Sequence, residues 1–171
     1  NMTVFLTTHY MEEAAEADYV VILDAGQIAV DLGEDAENDP NAVVTLILDG
    51  LDITCRVAPA IIFYNVYECG NDDTEKASKD VDTSAAGANV VIADGTINTV
   101  SGSYVAKIFK DKKNEKKLWK QDGAVYSYMS MNVDGTGVLE LTADNEGMDT
   151  ELHLTIHGGN ISIKSQNDGI N

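Results

Sequence analysis

Positive charge is scarce in this chain: 11 lysine and arginine side chains stand against 29 aspartates and glutamates, for a formal net charge of −18 over 171 residues. Such a balance repels phosphate backbones and anionic lipid surfaces, so nucleic acid is not an expected partner. No apolar run nears the roughly 18 residues a spanning helix needs, the longest being stretches such as Ala60-Ile61-Ile62-Phe63. Membrane insertion of this chain is not expected either. Cysteine is nearly absent, and Cys55 and Cys69 lack the CxxC spacing of a redox or zinc site. In an extracellular setting the pair could form a disulfide closing a short loop, worth up to roughly 3 kcal/mol. Two buried free thiols fit the sequence equally well. His153 and His157 have a helical zinc spacing, but on a strand they stand roughly 13 Å apart, too far to share an ion.

Helix signals are also few after the first 26 residues. That opening stretch reads as strand, helix, strand: Val4 to Leu6, the Glu- and Ala-rich run Tyr10 to Ala17, then Tyr19 to Leu23 ended by Asp24-Ala25-Gly26. From Gln27 onward the one weak helix candidate is Asp73 to Lys79, and apolar residues otherwise alternate with polar ones in short runs broken by glycine. Leu46/Leu48 precede Gly50 and Leu51/Ile53; Val90/Ile92 precede Gly95 and Ile97; Leu152/Leu154/Ile156 precede Gly158-Gly159 and Ile161/Ile163. Period-two alternation with glycine punctuation predicts strands.

An internal repeat orders those strands. Leu139, Leu141, Ala143, Asn145, Glu146, Gly147, Met148 and Asp149 return 22 residues later as Ile161, Ile163, Ser165, Asn167, Asp168, Gly169, Ile170 and Asn171. Met131 and Val133 match Leu154 and Ile156 at an offset of 23, a slip of one residue at the glycine turn. Earlier glycines fall at about double that spacing, and the gaps hold further strands (Ile61 to Tyr67, Tyr104 to Phe109, Val125 to Met129) plus the polar insertions Asn71 to Gly87 and Lys110 to Asp122. A fixed translation of short strands predicts an all-β parallel β-helix with rungs of roughly 22 residues, whose stacked inward side chains form one interior. Outward residues such as Glu140, Thr142, Ser162 and Lys164 then stay in water. An antiparallel sandwich of hairpins is the competing architecture, suited by Asp49-Gly50 and Asp94-Gly95.

Charge is clustered too. Seven of the lysines, from Lys107 to Lys120, share one stretch with only Asp111 and Glu115, which leaves it at +5 and the remainder of the chain at −23. The turn Asp144-Asn145-Glu146-Gly147-Met148-Asp149 lies one rung from Asn167-Asp168-Gly169, so carboxylates would stack about 5 Å apart and be relieved by a divalent ion; Glu151 could join. The candidate metal set is therefore Asp144, Glu146, Asp149, Glu151 and Asp168, with Ca2+ as the expected ion. The same residue types also serve a tight turn with left-handed backbone and no metal. The acidic run from Asp31 to Asp39 reads as a solvated loop.

Two resemblances attach to these residues. Thr3-Val4-Phe5-Leu6-Thr7-Thr8-His9-Tyr10-Met11-Glu12-Glu13-Ala14, followed by Ala17-Asp18-Tyr19-Val20-Val21-Ile22-Leu23-Asp24-Ala25-Gly26, resembles the switch-histidine segment of ABC-transporter ATPases. Read alone it implies an ATP-binding subunit with His9 at the γ-phosphate. The P-loop lysine motif, glutamine loop, signature motif and catalytic acidic strand are all missing from this sequence, so His9 is given no catalytic role.

Residues 27–171 resemble a family of bacterial cell-surface carbohydrate-binding domains. The carrying stretches are Gln27-Ile28-Ala29-Val30-Asp31-Leu32-Gly33-Glu34-Asp35, Thr45-Leu46-Ile47-Leu48-Asp49-Gly50-Leu51-Asp52-Ile53-Thr54-Cys55, Ala58-Pro59-Ala60-Ile61-Ile62-Phe63-Tyr64 and Ser165-Gln166-Asn167-Asp168-Gly169-Ile170-Asn171. That resemblance implies a calcium-binding parallel β-helix that binds acidic pectic polysaccharide such as polygalacturonate, extracellularly and without catalysis. The expected organisation is an ATPase-like fragment at 1–26 joined near Gly26-Gln27 to a C-terminally truncated carbohydrate-binding domain at 27–171, an apparent chimera. Trp119, with Lys116, Lys117 and Lys120 beside it, is the expected sugar-contacting group, although such a Trp more often packs its own hairpin onto the body. The rival of another class is a polysaccharide lyase on the same architecture, which needs a basic residue beside calcium; Arg56 is the sole arginine, and binding is favoured over catalysis.

Overall fold

Short amphipathic strands cannot hide their apolar row alone, and stacking one turn of chain on the next is the arrangement in which every inward side chain meets a like neighbour. The computed structural model, which describes residues 20–24, 26–70, 81–106 and 120–171, is such a stack. Each turn contributes one strand to each of three sheets. The first turn holds β2 (Gln27–Asp31), β3 (Val44–Leu48) and β4 (Asp52–Thr54); the second β5 (Ile61–Phe63), β6 (Ala88–Ile92) and β7 (Ile97–Gly102). The third holds β8 (Gly123–Ser127), β9 (Met131–Gly135) and β10 (Val138–Ala143), and the fourth β11 (Glu146–Thr150), β12 (Leu154–Ile156) and β13 (Asn160–Ser165). Sheet A runs β2-β5-β8-β11, sheet B β3-β6-β9-β12 and sheet C β4-β7-β10-β13, all by parallel pairing. Among the described residues there is no α-helix, only a 3-10 turn at Ala36–Asn38. The fold is a parallel β-helix.

The repeat read from the sequence is the register of the stack. Leu139 pairs with Ile161 and Leu141 with Ile163, whereas Met131 pairs with Leu154 and Val133 with Ile156. The doubled spacing upstream has a simpler origin than extra turns. Leu46 pairs with Val90, and Val90 with Val133, so each long gap holds one turn enlarged by an insertion. The candidate helix at 73–79, and most of the lysine-rich insertion, lie outside the described residues, as do the strand and helix expected between 4 and 17 together with His9.

At the amino-terminal side, β1 (Val20–Asp24) pairs antiparallel with β2, Asp24 opposite Gln27. The strand expected from Tyr19 to Leu23 thus belongs to sheet A. The hairpin turns at Gly26, whose φ is +79° and where a Cβ would run into the Thr54 carbonyl. Only glycine satisfies both demands.

The inward rows form the core. Ile61, Phe63, Val100, Met131, Val133, Leu139 and Leu141 are buried in one cluster, whereas Glu140, Thr142, Ser162 and Lys164 are exposed as alternation predicts. The inward rows are not wholly apolar. Asn98 sits opposite Leu139 and is fully buried; its Oδ1 accepts the Leu51 N–H at 2.8 Å, and its Nδ2 donates to Thr96 Oγ1 at 3.0 Å and to the Val138 carbonyl at 3.2 Å. It thereby ties three consecutive turns at one corner. Asn98→Ala orphans buried backbone groups and is expected to destabilise the chain by about 2 kcal/mol, read as a lower midpoint in urea.

The disulfide alternative is not realised: both cysteines are free thiols. Cys55 is buried after β4, at the corner from sheet C to sheet A, and its N–H donates to the Ser101 carbonyl. Cys69 follows β5 at the other end of the sheet A strand, and β5 runs between the two. Burial, and then the Glu68 charge, push the Cys69 thiol up, away from the reactive thiolate.

Candidate functional site

The corner from sheet C to sheet A repeats the same three residue types in successive turns: Gln121-Asp122-Gly123, Asn145-Glu146-Gly147 and Asn167-Asp168-Gly169. Backbone bonds stack these corners. Glu146 N donates to Asp122 O at 3.1 Å, Asn167 N to Asn145 O at 3.0 Å, and Gly147 N to Asp168 O at 3.0 Å. An amide and an acid are therefore delivered to the same place at each level.

Three carboxylates converge there. Oxygens of Asp122, Glu146 and Asp149 all lie within 4.8 Å of one another, and the three residues are only 6%, 4% and 8% exposed. Glu146 accepts hydrogen bonds from the amides of Asn167 and Asn171, each at 3.3 Å. Lys120 forms an ion pair with Asp122. One ammonium does not offset three buried carboxylates: Asp149 is pushed up to about 6, chiefly by burial and then by the charge of Glu146, against the opposing pull of Lys120. At the far end of β11 the Tyr126 hydroxyl donates to Glu151. Burial and that bond hold the tyrosine protonated well above its ordinary range.

Of the five expected metal residues, Glu146 and Asp149 come together. Asp144 is exposed before the turn, Asp168 is exposed and its carbonyl accepts the Gly147 N–H, and Glu151 is engaged by Tyr126. The third carboxylate of the cluster, Asp122, went unread, although its signal was present in Gln121-Asp122-Gly123; the lysine-rich insertion just before it obscured the phase. Trp119, Lys116 and Lys117 lie outside the described residues. Lys120 is described, and its charge is directed at Asp122. His153 and His157 are exposed on either side of β12.

A confined set of carboxylate oxygens, short of positive charge, suits a hard divalent cation. Metal-free, the cluster makes its own prediction. The Asp149 carboxyl is raised in the folded chain relative to about 3.9 unfolded, so its folded form holds the extra proton between roughly pH 4 and 6. In EDTA, stability therefore falls as pH rises through that window. The thermal midpoint is expected to drop from pH 5 to pH 7, and Asp149→Asn is expected to flatten that slope.

Beside the acids runs a groove of about 430 Å³ lined by Gln27, Ala58, Tyr64, Val105, Gln121 and Tyr128. Tyr64 and Tyr128 stack at 5.7 Å with rings 23° apart, because their strands are neighbours in register. Gln121 Nε2 donates to both hydroxyls, at 3.4 Å and 3.3 Å. The edge of the groove is the antiparallel bridge Val105–Gln121, where the lysine-rich insertion leaves and rejoins the body. Tyr126 meets Tyr128 edge-on at 5.1 Å and stands in register with Asp149 on the neighbouring strand.

A family model described as carbohydrate-binding domain-containing protein matches residues 7–171, across the Gly26–Gln27 hairpin and through all four turns. No curated protein and no solved structure matches the chain. With its repeat, its stacked turns and nearly its whole length covered by that model, the chain belongs to the family of carbohydrate-binding domain-containing proteins.

Proposed function

We propose that the protein binds an acidic polysaccharide such as polygalacturonate without cleaving it, with calcium at the Asp122, Glu146 and Asp149 corner, on the outside of a bacterial cell. The observation that carries the reading is the convergence of three buried carboxylates within 4.8 Å in a chain of net charge −18. An acidic protein repels an acidic glycan unless the local sign is inverted. Calcium held by Asp122, Glu146 and Asp149 would supply that inversion and leave coordination positions for sugar carboxylates. The chain's own residues do the rest. Asn167 and Asn171 orient Glu146, Lys120 orients Asp122, and the stacked backbone fixes the three acids relative to one another.

A lyase reading needs a basic group free to abstract a proton. Arg56 is exposed after β4, at a turn before the acid cluster's, and Lys120 is paired with Asp122. Calorimetric titration with polygalacturonate, with calcium and with EDTA, separates the readings. Heat that requires calcium and yields no unsaturated product is the expected result; ultraviolet-absorbing product would replace binding by cleavage, and the absence of heat in both buffers would leave a structural spacer.

A further inference from the structure

We propose that the groove formed by Tyr64, Tyr128, Gln121 and Gln27 is a subsite that seats one pyranose ring of the bound glycan by its uncharged face. The inference rests on the carbohydrate reading above but not on calcium. In a chain with 29 acidic residues, none of the six lining residues carries charge at neutral pH. What lines the groove instead is two half-buried tyrosine rings, two side-chain amides and the small apolar surfaces of Ala58 and Val105. Sugar rings present the same pairing of chemistries: axial C–H groups that pack on aromatic carbon, and equatorial hydroxyls that need donors and acceptors.

The groups are held in place beforehand. Tyr64 and Tyr128 are fixed by sheet A, their ring planes kept 23° apart by stacking. Gln121 is pinned through its backbone by Val105, with N···O distances of 2.7 Å and 3.2 Å, and through its amide by both hydroxyls. Gln27 is held by the hydrogen bond that its Nε2 donates to the Pro59 carbonyl at 2.8 Å. Little rotamer freedom is left to lose on binding, which favours affinity from a small contact. The position is also informative. Gln121 is the immediate neighbour of Asp122, and Tyr126 touches Tyr128 with its ring edge while its hydroxyl meets Glu151. A glycan chain lying along this face would set one residue on the tyrosines and the next at the acids.

The test uses the whole chain with isotope-labelled tyrosine rings, assigned through Tyr64→Phe and Tyr128→Phe, and two probes: trigalacturonate with calcium, and cellotriose in EDTA. The Tyr64 and Tyr128 ring signals are expected to shift with at least one probe, and Tyr64→Ala is expected to weaken that probe at least tenfold while keeping the wild-type calcium response. Ring signals that stay still with both probes overturn the subsite. Calcium-dependent binding of trigalacturonate with unmoved rings overturns the subsite and leaves the acidic-polysaccharide reading intact. Shifts with cellotriose alone support the subsite and overturn that reading. Should Tyr64→Ala fail to fold, the ring shifts of the wild-type chain decide.

Discussion

Leu141→Ala is expected to cost about 3–4 kcal/mol of folding free energy, the middle of the range for emptying a fully packed leucine site. Leu141 is 1% exposed and lies in register between Val100 on one side and Ile163 on the other, so its side chain belongs to the interior of three successive turns. A stacked core has no second layer that could collapse into the hole, because each turn touches only the turns next to it. At this chain length the loss corresponds to roughly 10 °C in the thermal midpoint. Thr142→Ala, one residue along and facing water, is expected to change stability by less than about 0.5 kcal/mol. Equal effects at the two positions would contradict the inward and outward assignment on which the fold rests.

Calcium is expected to produce the second large effect. A ligand that binds only the folded chain, present at a hundred times its dissociation constant, adds about 2.7 kcal/mol. Thermal unfolding with millimolar calcium is therefore expected several degrees above the same scan in EDTA. Replacing the corner with Asp122→Asn, Glu146→Gln and Asp149→Asn together is expected to abolish that response. In EDTA the triple variant should match or exceed the wild type, since the repulsion that raises Asp149 is gone. Coincident wild-type scans in the two buffers would remove the metal from the proposed function.

The repeat was legible because hydrophobic alternation and glycine turns are local signals, and in the last two turns nothing interrupts them. Leu139 and Ile161 could be paired from their spacing alone, and the pairing holds. Where insertions enlarge a turn, the same signals lost phase. The stretch between Val105 and Gln121 breaks the alternation just before Asp122, whereas Glu146 and Asp149 lie within the uninterrupted repeat. The groove was invisible for a different reason: Gln27, Tyr64 and Gln121 come from three different turns, and no local pattern joins them. Asn98 likewise breaks an apolar row at one position, and its value appears only when the Leu51 N–H and the Val138 carbonyl are seen beside it. The cysteines show the limit of spacing as a guide, since distance along the chain does not tell which corner of a coil a residue occupies.

The insertions depart from corners and return to the turn they left. Chain that leaves after Gly70 is back by Gly87, whose close approach to the Tyr67 and Ala42 backbones fixes the point of re-entry. Lengthening such an excursion costs chain entropy only logarithmically and leaves every strand pairing unaltered. Those detours can therefore be lengthened or rewritten without disturbing the ladder of turns beneath them.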